Sequence, residues 1–101
     1  MTSLTIGNNV TKIGKNAFAN CTKLTKVTVN GSKLKSIGKN AFKGDKKLKK
    51  ISLKKVRSLK KVEKAAFWGI SKKVTVKVPK NKKKAYSRLL KKGGIAAGRV
   101  K

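Results

Sequence analysis

The chain contains no histidine and only two side-chain carboxylates, Asp45 and Glu63, among its 101 residues. Histidine is the commonest general base and metal ligand, so proton shuttling and most metal chemistry lose their usual carrier. The two carboxylates stand at different offsets within the pattern described below. They are therefore not expected to converge as a glycosidase pair or a metal cage. A single cysteine, Cys21, excludes an intramolecular disulfide and a zinc site with the usual ligand count. Without a base to make its thiolate, Cys21 reads as a small buried hydrophobe. None of the glycines forms a phosphate loop with the Gly-Lys-Ser ending. No apolar run approaches the roughly 20 residues of a membrane span, and Met1-Thr-Ser-Leu-Thr has no apolar signal core. These absences argue against an enzyme, and no cofactor is expected.

What is present is lysine and repetition. Thirty basic residues give a formal net charge of +28, and only Arg57, Arg88 and Arg99 among them are arginine. A surface of this kind repels itself and concentrates polyanions within a Debye length of about 8 Å at physiological salt. Lysine lacks the bidentate fork of arginine, so diffuse attraction to a polyanion is favoured over base-specific reading of nucleic acid. The plainer reading, that the lysines only solvate outward positions, stands beside it.

The repetition is explicit. Val10-Thr-Lys-Ile13-Gly-Lys-Asn16-Ala17-Phe18 returns as Leu34-Lys-Ser-Ile37-Gly-Lys-Asn40-Ala41-Phe42 and as Leu59-Lys-Lys-Val62-Glu-Lys-Ala65-Ala66-Phe67. The phenylalanines are 24 and 25 residues apart. Such a period marks a solenoid, whose core exists only between stacked units. One domain spans 1–101: the end of a preceding repeat at 1–9, repeats at 10–33, 34–58 and 59–79, and a cap helix with tail at 80–101. The start inside a repeat strand suggests a fragment.

Apolar and polar residues alternate at Leu24-Thr-Lys-Val27-Thr-Val29, Leu48-Lys-Lys-Ile51-Ser-Leu53 and Val74-Thr-Val76-Lys-Val78. Period two predicts strands with one buried face, stacked in parallel, with Leu4-Thr-Ile6 as the first rung. A second extended stretch is expected at 10–13, 34–37 and 59–62, turning at Gly14 and Gly38. Asn16 and Asn40 are read as N-caps of one-turn helices carrying Ala-Phe inward. The phenylalanines are core. Cys21 and Asp45 share a repeat column and are expected as neighbours on adjacent coils. Pro79 halts the last strand. Ala85, Tyr86, Leu89 and Leu90 then fall at helical spacing before Gly93-Gly94, predicting an amphipathic lid over the last core layer. Trp68 is expected beneath that lid, and 95–101 is left as extended or loose.

The run Leu/Val-x-x-Ile-Gly-x-x-Ala-Phe-x-x-Cys-x-x-Leu-x-x-Val-x-Val resembles the BspA-type leucine-rich repeat of bacterial and protist surface proteins. Val10 to Val29 matches it almost position for position, and the resemblance covers roughly residues 3–79. The closure Val78-Pro79-Lys80 followed by Tyr86 resembles the end of such arrays. The resemblance implies an α/β, β-dominated, right-handed solenoid with parallel strands on its concave side, secreted or displayed at the cell surface. Two departures stand out: the cysteine column becomes Asp45 and Ile70, and Ile-Gly becomes Val62-Glu63. The latter suggests a repeat adapted to an end.

Outward strand positions form two columns, Ser3, Lys26, Lys50, Thr75 and Thr5, Thr28, Ser52, Lys77. A second basic strip comprises Lys12, Lys15, Lys39, Lys61 and Lys64. From these the candidate polyanion-binding residues are Lys26, Lys50, Lys77, Thr28, Ser52, Thr75, Lys12, Lys15, Lys39, Lys61 and Lys64. No exposed aromatics are expected at repeat intervals, so no stacking platform is indicated. Three readings stay open. One is a surface adhesion module binding teichoic acid, an acidic glycan or a protein partner; another is a structural stalk or cap; the third is a non-specific nucleic-acid binder. An uncovered first coil around Leu4, Ile6 and Val10 also predicts self-association through the N-terminal end.

Overall fold

The computed structural model describes residues 3–101. Seven short strands alternate between two parallel sheets. Strands β1 (Ser3–Ile6), β3 (Lys26–Val29), β5 (Lys50–Ser52) and β7 (Thr75–Lys77) form a four-stranded sheet in that order. Strands β2 (Lys12–Ile13), β4 (Ser36–Ile37) and β6 (Lys61–Val62) form a three-stranded one. Each coil visits both sheets once, giving a solenoid of about three turns. A helix, α1 (Lys83–Lys92), follows a single 3-10 turn at Lys80–Lys82.

The alternation in the sequence is realised residue by residue. Val27, Val29, Ile51, Leu53, Val76 and Val78 are buried between the sheets, while Lys26, Lys50 and Lys77 are exposed. Coil spacing also fixes the aromatics. Phe18, Phe42 and Phe67 stack with centroids 5.4 and 5.1 Å apart and rings 16° and 4° from parallel. That spacing is close to the inter-strand distance of a sheet, so identical ring positions on successive coils must stack. Phe42 and Phe67 are buried; Phe18, on the first coil, is half-buried. With Leu4 and Val10 it borders a shallow cavity of about 270 Å³ at the N-terminal end.

The segment between the two sheets corrects one expectation. No one-turn helix forms after Gly14 or Gly38. Instead the Ala17 amide bonds Gly14 O and the Ala19 amide bonds Asn16 O, two consecutive tight turns, and Ala41 and Lys43 repeat them. Asn16 and Asn40 are not caps. Each has φ of 58°, the left-handed conformation that the third position of a type II turn demands. Asparagine enters this region more readily than other side-chain-bearing residues, which accounts for its recurrence. Coil three places Ala65 there, at φ 63°.

Close approach of coils explains the glycine that follows the second short strand. A Cβ on Gly38 would lie 2.7 Å from Gly14 C and Lys15 N, within the backbone of the coil below. A Cβ on Gly14 would meet nothing within 4 Å. Glu63 stands in this column on coil three. Its Oε2 accepts the Lys39 amide at 3.0 Å, adding a side-chain bond between coils beside the backbone bond from the Glu63 amide to Ile37 O at 2.9 Å.

The lid forms as the helical spacing indicates. Tyr86 and Leu90 are buried and Leu89 half-buried, but Ala85 is exposed and takes no part in the lid. The helix ends in a Schellman motif: Ile95 donates to Leu90 O at 2.9 Å and Gly94 to Lys91 O at 3.1 Å. Gly94 supplies the positive φ, 105°. Gly93 supplies room, because a Cβ there would lie 2.7 Å from Val62 Cγ1. The tail is neither loose nor a full strand. After a 3-10 turn at Ala97–Arg99 it returns to the large sheet, where Val100 pairs in parallel with Val76 and the Lys101 amide bonds Val76 O at 2.7 Å. The edge of β7 is thus partly covered, which removes a template for uncontrolled pairing.

Trp68 is the clearest departure. It is 62% exposed, not beneath the lid, and Lys43 Nζ lies 5.5 Å from its ring centroid. The physical reason is columnar. Trp68 follows Phe67 as Ala19 follows Phe18 and Lys43 follows Phe42, and Lys43 points to solvent. A residue in an outward column stays outward whatever its hydrophobicity, because the coil backbone decides the direction.

Candidate polyanion interface

The large sheet brings the candidate residues into straight columns. Pairing aligns Ser3 with Lys26, Lys26 with Lys50 and Lys50 with Thr75. It likewise aligns Thr5 with Thr28, Thr28 with Ser52 and Ser52 with Lys77. Neighbours within a column are one sheet rung apart, about 4.8 Å between strands. Lys26 and Lys50 are directly opposed like charges, an arrangement that destabilises a bare sheet and that an anion between them relieves. Lysines 26, 50 and 77 are exposed, and Thr28, Ser52 and Thr75 are half-buried with hydroxyls on the same face.

The second strip is assembled less completely. Lys12 and Lys61 lie on β2 and β6, but Ser36 on β4 stands between them. Lys15, Lys39 and Lys64 occupy equivalent turn positions and are all exposed. Glu63 adjoins this strip, with its Oε1 3.6 Å from Lys61 Nζ. Since Asp45 is buried and Glu63 follows β6 of the smaller sheet, the face of the large sheet carries no side-chain carboxylate among the described residues.

Asp45 is fully buried, and its Oδ1 accepts the Cys21 amide at 2.7 Å, confirming that the two share a column. Its Oδ2 has no hydrogen-bond partner among the described residues. Burial pushes the carboxyl up to about 6, against the opposing pull of the Cys21 amide. Burial, and then the Asp45 charge, raise the Cys21 thiol as well. A raised thiol is a poor nucleophile. No group of three or more His, Cys, Asp or Glu among the described residues could hold a metal ion.

A further region escaped the sequence reading. Phe67, Trp68, Ile70, Lys72, Ile95 and Arg99 are among the residues lining a cavity of about 490 Å³ where the last coil meets the tail. The one available signal was the outward column shared by Lys43 and Trp68. The tail's contribution had none, because residues 94–99 restate none of the 24- and 25-residue pattern read from the sequence.

A family model described as a BspA type leucine rich repeat region matches residues 1–96 in six copies. No curated protein and no solved structure gave a match.

Proposed function

The chain belongs to the BspA-type leucine-rich-repeat family, and on that premise we propose that it is a non-enzymatic interaction module of a secreted or cell-wall-associated protein, binding an anionic polymer across its large sheet. Repeats of this type are typically carried by bacterial surface proteins and serve interaction, and no helix among the described residues is long and apolar enough to cross a membrane. The observation that carries the reading is the opposed pair Lys26 and Lys50, flanked by hydroxyls and by Lys77 on a face without carboxylates. A polymer with regularly spaced phosphates or carboxylates neutralises successive ammonium groups there, and the hydroxyl column donates to its oxygens. Wall teichoic acid and acidic glycans have this chemistry. Duplex DNA has the charge, but the described structure offers few arginines and no row of exposed aromatics with which to read it.

The test is fluorescence anisotropy of labelled wall teichoic acid, duplex DNA and a neutral glycan with the whole chain, between 50 and 200 mM salt. Contact with about six phosphates driven by charge alone loses about a thousandfold over that range. Expected is teichoic acid binding that outlasts DNA binding and falls at least tenfold in the K26A/K50A/K77A variant. Equal release of all polymers, with the triple variant indistinguishable from the parent, overturns the reading and leaves a scaffold with a solvating coat of lysines.

A further inference from the structure

Each coil of the solenoid accepts several backbone amides of the one before it. Above coil one, Lys39 O takes the Asn16 amide, Ala41 O the Phe18 amide, Lys43 O the Asn20 amide and Asp45 Oδ1 the Cys21 amide. Above coil two, Ala66 O takes the Phe42 amide at 2.7 Å and Trp68 O the Gly44 amide at 2.9 Å, while the Asp45 amide turns back to Phe42 O of its own coil at 3.3 Å. Above coil three the cap repeats only part of this. Gly93 O takes the Phe67 amide at 2.8 Å, but the amides of Gly69 and Ile70 have no partner among the described residues. These are the column equivalents of Asn20/Gly44 and of Cys21/Asp45 respectively.

Gly69 and Ile70 border the cavity of about 490 Å³ left between the last coil and the tail. That volume lies within the range of pockets that hold small ligands or a few residues of a peptide. Phe67, Val74 and Ile95 are buried and give the cavity apolar walls; Lys72 and Arg99 are exposed at its edge, and Trp68 borders it. No acidic residue lines it.

From these observations we propose that the cavity is a docking site for an acidic–apolar peptide segment of a protein partner, whose Asp or Glu carboxylate accepts the amides of Gly69 and Ile70. The chain contains its own precedent, since Asp45 of coil two already meets the Cys21 amide of coil one in this way. A partner carboxylate on Ile70 places the same group at the same step of the column, where the array has no further coil. Lys72 and the fork of Arg99 add charge-assisted bonds to it, and an adjacent apolar side chain covers Val74 and Ile95. Trp68 borders the same cavity and offers an exposed amphipathic side chain to the partner. The site is separate from the lysine columns of the large sheet and does not depend on their role.

The experiment is an amide-proton NMR titration of the whole chain with acetyl-Ala-Asp-Leu-amide, and with acetyl-Ala-Asn-Leu-amide as the uncharged probe. Expected are downfield, saturable shifts of the Gly69 and Ile70 amide protons, with the Asp probe binding at least tenfold more tightly than the Asn probe. The K72A/R99A variant, which alters exposed side chains only, weakens the Asp probe about tenfold. Gly69 and Ile70 amides that stay still while Lys26 and Lys50 amides move overturn the proposal. So do equal shifts from both probes, or an unchanged affinity in the double variant.

Discussion

The hydroxyl of Tyr86 donates to the carbonyl oxygen of Val56 at 2.9 Å, across 30 residues of sequence, and accepts the Leu59 amide at 3.4 Å. One phenol thereby satisfies two backbone groups of the loop entering coil three, and it does so from the lid. Tyr86 is buried, so water does not substitute for it.

Replacing Tyr86 with phenylalanine keeps the packing and strips both partners of their bond. An orphaned buried backbone group costs about 1–3 kcal/mol. The expected outcome is a Y86F variant less stable by about 2 kcal/mol in urea denaturation, with an unchanged m-value because the fold and its buried area persist. A midpoint equal to that of the parent refutes the role assigned to the hydroxyl.

Asp45 predicts an unusual response to pH. Its folded-state pKa, about 6, lies above the ordinary carboxylate value because burial disfavours the charge. The folded chain therefore holds the proton more tightly than the unfolded chain. Stability is greatest below about pH 4, falls as pH rises to about 6, and is flat above. Holding the carboxyl at about 6 corresponds to a span of about 3 kcal/mol between acid and neutral pH. Glu63 is the only other side-chain carboxylate, so little opposes this trend. Asn at position 45 retains the acceptor for Cys21 and carries no charge. Chemical denaturation at pH 4.5 and 7.5 should show the parent more stable in acid and D45N nearly level, and more stable than the parent at pH 7.5. A parent curve that rises with pH contradicts the assignment.

Ala65 holds a left-handed backbone conformation that costs a residue with a Cβ about 1–2 kcal/mol. Glycine adopts it without that cost, offset in part by its greater freedom when unfolded. A65G is expected to raise stability by about 1 kcal/mol, visible as a higher thermal midpoint. A65N, which restores the residue of the other two coils, should move the same way by less. Destabilisation by both variants contradicts the assigned turn geometry.

The columns of the large sheet were legible because a fixed period and strict alternation leave only one register in which every apolar residue faces inward. Lys26 therefore falls beside Lys50, and Phe18 beneath Phe42. Asn16 and Asn40 show the limit of local pattern. A cap and a left-handed turn residue favour the same side chain, and only the hydrogen bonds of Ala17 and Ala19 distinguish them.

The sequence by itself determined the solenoid, its two strand sets and its large excess of positive charge, and, through the helical spacing of Tyr86, Leu89 and Leu90, its lid. The solenoid and its strands were legible because they are restated once per coil, and restatement constrains register. Only the tertiary structure decided what happens where restatement stops. There Trp68 stays in solvent, Val100 returns to Val76, and Asp45 is sealed with one oxygen unpartnered, while the cap leaves the Gly69 and Ile70 amides open. The last coil has no successor to complete its hydrogen bonds, and the residues that partly replace that successor come from a tail with no repeat to read.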